Sequence, residues 1–284
     1  MFTVFKKIKN IIPTYHKHGL DGLFYSMLRN LGFKCRYHNF IDKRLHNLTK
    51  EIEKISNNVV MWGPYKGTKL LDSSNANHWF VDTPNRLIGL YEYEVQKKLI
   101  ELTKNDQFEY FINFGAADGY HLISILKQGF VKKGLAFEMN PDGRKFLQKT
   151  ADVNSVSDKI EIYEKADLTY IKDKFSEEML IKTIFLIDIE TDEFDLLDDD
   201  ALKFLSKSVL LIENHDFMYK NKEKVNNYFS NIKKYFNLEY LKYASRDPNI
   251  IPELNNFREM DRWIMMDEGR PSTMTWLILT PKNT

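Results

Sequence analysis

Residues 108–118 read Phe108-Glu109-Tyr110-Phe111-Ile112-Asn113-Phe114-Gly115-Ala116-Ala117-Asp118. Phe108, Tyr110, Phe111, Ile112 and Phe114 form an apolar run that halts at Gly115. That is the pattern of a buried strand in a parallel sheet. Past Gly119, the residues Leu122, Ile123, Ile125 and Leu126 recur at helical spacing until Gly129, a residue suited to a helix C-cap. The order is therefore strand, small-residue turn, helix. It puts closely approachable backbone and a helix N-terminus at the carboxyl end of a strand, where open α/β sheets bind nucleoside-like ligands.

The flanking sequence repeats the alternation. Residues 133–138 (KGLAFE) predict a second strand ending on Glu138. This carboxylate follows Gly119 at nearly the ~20-residue offset at which an acid meets ribose hydroxyls. Asn140, Pro141 and Asp142 read as N-cap, first-turn proline and first-turn acid of a helix. Residues 160–163 predict a third strand, closely followed by Ala166 and Asp167, an acid able to accept from an exocyclic amine. Continuously apolar runs at 183–187 and 209–212 predict central strands. The first delivers Asp188 and Glu190 to the ligand edge, and the second delivers Glu213, Asn214, His215 and Asp216. A long helix over 219–236 and strands at 238–243 and 274–279 complete the pattern. The fold predicted is α/β, a doubly wound, mostly parallel seven-stranded sheet with helices on both faces.

Composition sets bounds. Lys plus Arg is 41 and Asp plus Glu is 40, so the net charge of +1 leaves no basic footprint for a nucleic-acid partner. Cys35 stands alone, which rules out an internal disulfide and suits a reducing cytoplasm. No apolar run approaches the ~18 residues of a membrane span. Lys6, Lys7 and Lys9 precede no long apolar region, so the start does not read as a secretory signal.

Residues 1–58 read as a helical extension before a domain at 59–284. Leu20, Leu23, Phe24, Met27, Leu28 and Leu31 mark one helix ended by Gly32, and Phe40, Ile41, Leu45, Leu48, Ile52 and Ile55 mark another. Their apolar faces must pack somewhere: on the domain, in a homodimer, or over the substrate pocket. His16 and His18 flank a lysine and read as solvated loop residues. Between the last two strands lies a long insert, 246–272, rich in Arg, Pro and aromatic residues. Loops beyond ~12–15 residues are usually functional or disordered. Its apolar content favours a substrate cover whose Arg258, Arg262 and Arg270 bind a carboxylate or phosphate. A dimer contact is the rival reading.

Asn113 to Tyr120, Glu138 and Ala166-Asp167 resemble the cofactor motifs of class I S-adenosylmethionine-dependent methyltransferases. Residues 89–94 (GLYEYE), 187–197 (IDIETDEFDLL) and 210–215 (LLIENH) resemble the FkbM-like family of that class. The resemblance runs from about Trp62 to Pro281. It implies an antiparallel last strand and a cofactor site that uses Tyr91, Glu92, Asn113, Gly115, Asp118, Gly119, Tyr120, Glu138, Ala166, Asp167 and Asp188. Asn113 departs from the pattern, which has an acid there. It also leaves open a catalytically silent, cofactor-binding subunit.

Methyl transfer to a hydroxyl needs alignment and a proton acceptor, or a metal that lowers the hydroxyl pKa. His215 titrates in the right range and, with Asp188 and Glu190, forms the candidate catalytic set. Asp188, Glu213 and Asn214 form an oxygen-rich half-shell suited to Mg²⁺ or Mn²⁺. This set is similar to the ligands of metal-dependent catechol-type O-methyltransferases. A metal-free reading keeps Glu213 and His215 as orienting acid and base. The expected acceptor is a small-molecule hydroxyl, on a sugar or glycan precursor. A protein or nucleic-acid methyltransferase is the further option, although no amide-methylating Asn-Pro-Pro-Tyr motif follows the fourth strand.

Overall fold

The computed structural model describes residues 40–71, 83–104, 107–270 and 272–282, with Leu20, Phe24 and Met27. The chain divides into two compact units, residues 1–50 and 51–284. In the first, Leu20, Phe24 and Met27 are helical and exposed. The rest of that expected helix, His16, His18 and Cys35 lie outside the described residues. The second expected helix spans Phe40–Ser56 and crosses the boundary. Among the described residues, no helix is long and apolar enough to cross a membrane.

The second unit is built on seven strands: β1 (Tyr110–Phe114), β2 (Lys133–Phe137), β3 (Ile160–Tyr163), β4 (Thr183–Ile187), β5 (Val209–Glu213), β6 (Phe236–Lys242) and β7 (Thr275–Pro281). Their order is β3-β2-β1-β4-β5-β7-β6. β1 pairs in parallel with both β2 and β4, and β4 with β5. This is a doubly wound, mostly parallel, Rossmann-like architecture. Every residue of β4 and β5 is buried, which explains why their sequences are continuous apolar runs rather than alternating ones. Phe114, Phe137 and Phe185 meet edge to face, the preferred aromatic geometry, and close the core below the ligand edge.

Two features of the topology position the site. The chain winds outward from β1 to β3 on one side and from β4 to β5 on the other, so the switch point lies between β1 and β4. At that point Gly115 has φ 77°, and a Cβ there would lie 1.7 Å from Asp188 O. Only glycine lets the two strand ends approach this closely. The second feature is β7, antiparallel to both β5 and β6, with Lys242 opposite Thr275 and Glu213 opposite Trp276. The intervening segment therefore leaves and re-enters the sheet at the ligand edge. It is ordered by Ile251, Leu254 and Met265, all fully buried, and by the short helix Glu259–Ile264, whereas Trp263 stays half exposed.

Candidate active site

A cavity of about 380 Å³ opens at the carboxyl edge of β1, β4 and β5, within the ~300–1,000 Å³ of small-molecule sites. One wall is the Gly115–Tyr120 turn. Gly119, at φ 83°, starts the helix Tyr120–Lys127. Asn113 is buried and its Nδ2 donates to Leu186 O at 3.3 Å, so the amide pins β1 to β4. Asp118 accepts from Arg86 Nη2 on both oxygens. Arg86 in turn lies 4.7 Å from the Tyr120 ring centroid and 5.6 Å from that of Tyr91.

Glu138 stands behind this wall. One of its oxygens accepts from Ala117 N and the other from Asn140 N, both at 2.8 Å. The carboxylate thus shapes the turn and the start of the next helix. Asp167 is exposed and caps the helix Leu168–Lys174, accepting from Thr169 N at 2.7 Å. Glu138, Ala166 and Asp167 do not line the cavity, whereas Tyr91, Glu92, Asn113, Gly115, Asp118, Tyr120 and Asp188 do.

The opposite wall is an acid and histidine cluster. Ligand atoms of Asp188, Glu213 and His215 all lie within 4.8 Å of one another. His215 Nε2 is 3.3 Å from Glu213 Oε2, 3.7 Å from Asp188 Oδ1 and 3.8 Å from Glu190 Oε2. Asn214, expected in a metal set with Asp188 and Glu213, lines a neighbouring cavity with Asp216 and Phe217, and its Oδ1 accepts from Asp216 N at 3.4 Å. Side chains alternate along a strand, so Glu213 and His215 share a face and Asn214 takes the other. That period was the available sequence signal.

Glu193 opens the helix Glu193–Leu196, where an acid at the surface would favour the dipole. It is instead buried against His215, with Oε1 3.1 Å from Nδ1. Burial alone would lower the His215 pKa, but the hydrogen bonds and charges of Glu193 and Glu213 outweigh it and hold the imidazolium up to about 10. Burial, then the charges of Glu213 and Glu92, push the Asp188 carboxyl well above the usual carboxylate range. Its Oδ1 is buried without a hydrogen-bond partner. Glu190 and Thr191 have φ 52° and 87°, a left-handed pair that costs ~1–3 kcal/mol per residue and typically marks functional sites.

The roof is Arg270. Its guanidinium pairs with Glu92 and Glu213, and its Nε donates to Glu268 Oε2 at 2.9 Å. The insert's arginine, expected to bind a substrate anion, thus engages three carboxylates of the protein itself; Arg258 is exposed. Glu268 Oε1 accepts from Arg246 Nη1 at 2.6 Å and from Glu92 N at 2.8 Å. Burial, then the Glu92 charge, raises the Glu268 pKa to about 8. Glu92 goes the other way, to about 2, because its bonds to His121 and Arg270 overcome its burial. Arg86, His121, Glu193 and Glu268 were not singled out as site residues in the sequence, since their roles depend on long-range contacts.

No family model matches the chain, and no curated protein sequence does. The likeness found is to solved structures. An O-methyltransferase from Bacillus cereus in complex with SAH is 11% identical, covers 91% of this chain and 97% of its own, and has a TM-score of 0.48. The cofactor-bound Rv0187 from MTB is 9% identical over 91% and 98%, with a TM-score of 0.44. TYW2 of P. horikoshii in complex with MeSAdo is 16% identical over 66% and 62%, with a TM-score of 0.37.

Proposed function

We propose that this chain is an S-adenosylmethionine-dependent O-methyltransferase acting on a hydroxyl of a small molecule, a sugar or glycan precursor. One observation carries the reading: the glycine turn and the Asp188, Glu213 and His215 cluster face each other across one cavity at the switch point. Charge supports it. The cavity is lined by Glu92, Asp118, Asp188, Glu190, Glu213 and Glu268, against Arg86 and Arg270. Such a lining favours a sulfonium donor and disfavours the pyrophosphate of a dinucleotide. The FkbM-like motifs agree with methyl transfer. Phe217 and Met218, each 49% exposed at the mouth, offer apolar faces to a ring-shaped acceptor.

The transfer is an in-line displacement in which alignment supplies up to about 7–11 kcal/mol. Glu190, whose side chain is 74% exposed, takes the hydroxyl proton, while His215 already holds one between Glu193 and Glu213. Asp188 Oδ1, buried without a hydrogen-bond partner, and Glu213 would hold a divalent cation together with His215 Nε2 once that nitrogen gives up its proton. An imidazole among carboxylates suits Mn²⁺ better than Mg²⁺. A bound ion there supplies Lewis acidity that lowers the hydroxyl pKa. A metal-free reading is favoured by Arg270, which already neutralises Glu213. The test is turnover with chelator present. Loss restored by Mn²⁺ supports the metal; unchanged turnover, with Glu190→Gln lowering the rate ~10²–10⁴-fold, supports Glu190 acting without it. If chelation, Asp188→Asn and Glu190→Gln all leave turnover at wild type, the acceptor side is misassigned.

A further inference from the structure

Glu92 is held in a way that a surface acid at a helix start is not. It occupies the N-cap position of the helix Tyr93–Thr103 but makes no capping bond. Its backbone has φ 46°, a left-handed conformation that is unfavourable for a side chain of this kind. Its N donates to Glu268, and its carboxylate, 3% exposed, is turned inward to the cavity wall. There Oε2 meets His121 Nε2 at 2.6 Å, and His121 Nδ1 meets Tyr65 OH at 2.9 Å.

The chain of donors has one arrangement that satisfies every group. Tyr65 is fully buried, and its hydroxyl makes no other hydrogen bond among the described residues. It must therefore donate, and His121 Nδ1 accepts. The ring hydrogen of the neutral imidazole then stands on Nε2 and is donated to Glu92 Oε2. Tyr65 comes from the turn before the sheet and His121 from the helix that follows the glycine turn, so two distant segments converge on one carboxylate oxygen. Edge-on contacts of the Tyr65 ring with Tyr120 and His121 fix its orientation. The other oxygen, Oε1, pairs with Arg270, so a ligand cation at this wall would share the carboxylate with that guanidinium, inside a cavity whose acids outnumber its arginines.

We propose that Tyr65 and His121 are positioning residues that aim Glu92 at the cationic amino-acid end of the cofactor. This rests on the methyltransferase reading. The donor's amino-acid end carries an ammonium group, which S-adenosylhomocysteine keeps and 5′-methylthioadenosine lacks. The ratio of their affinities therefore reads the Glu92 contact separately from the fit of the nucleoside.

The experiment is calorimetric titration of both compounds into the full chain and its variants. His121→Leu, which removes the donor, is expected to weaken S-adenosylhomocysteine by about tenfold while leaving 5′-methylthioadenosine within about twofold. His121→Gln, whose amide can accept from Tyr65 and donate to Glu92, should restore most of the loss. Tyr65→Phe should lie between them. A merely structural role predicts equal weakening of both compounds, and that result would overturn the proposal, as would a ratio unchanged in His121→Leu. Should His121→Leu fail to fold, an unchanged ratio in Tyr65→Phe overturns it equally. Binding of neither compound by the wild type would instead remove the methyltransferase reading itself.

Discussion

Arg270→Met removes the guanidinium that joins the insert to the sheet. Arg270 is 18% exposed, and the side chains of its partners Glu92, Glu213 and Glu268 are 2–3% exposed. Breaking a buried ion pair typically costs about 3–5 kcal/mol, because a charge is left uncompensated. Each carboxylate retains another partner: Glu92 keeps His121 at 2.6 Å, Glu268 keeps Arg246 at 2.6 Å, and Glu213 keeps His215 at 3.3 Å. The loss should therefore fall at the lower end, about 3 kcal/mol, or roughly 6–12 °C in Tm for a domain of this size. Urea and thermal unfolding at pH 7 would measure it. At pH 5 the difference should shrink, since protons can then take the place of the guanidinium on these carboxylates. Glu92 carries this change, since the bonds to His121 and Arg270 hold its carboxyl down to about 2, whereas Glu268, raised to about 8, is already largely protonated at pH 7. A loss below about 1 kcal/mol at pH 7, or one independent of pH, would refute the view that Arg270 neutralises this wall.

Gly115→Ala should abolish cofactor binding and lower stability, because the new Cβ would overlap Asp188 O at 1.7 Å; a variant with wild-type affinity would contradict this. Glu138→Ala frees Ala117 N and Asn140 N and should lower stability by roughly the 1.5–3 kcal/mol of bonds to a charged group, measured by urea unfolding; a loss below about 0.5 kcal/mol would contradict its role in shaping the turn. The raised pKa of His215, about 10, contributes stability that is full below the ~6.5 of unfolded histidine and lost as pH rises through 10. Asp188, also raised, acts in the same direction. Wild-type urea midpoints should thus fall between pH 6 and pH 9, and those of His215→Gln should fall less; equal falls would contradict the cluster's coupling.

Much of the fold was legible because strand burial writes itself into sequence. TIFLI at 183–187 and VLLI at 209–212 can only be central strands, and both are. The glycine turn was legible because Gly115 and Gly119 occupy positive φ. The antiparallel β7 was not, since alternation carries no strand direction; it came from the resemblance. In the site, local spacing located the strand-end residues but not their partners. Asn214 was grouped with Glu213 by adjacency, whereas the two line different cavities, as period-two alternation would have them. Glu193 opens a helix, and its contact with His215, 22 residues away, is one that local spacing does not encode. Arg270 was marked as an anion binder, but the acids it meets lie at 92, 213 and 268, distances no local pattern encodes.

Titration of S-adenosylhomocysteine into the full chain by calorimetry tests the methyltransferase reading most directly. The geometry of the switch point predicts saturable binding at one site per chain, lost in Gly115→Ala. No heat and no saturation with the wild type, or undiminished binding in Gly115→Ala, would contradict it.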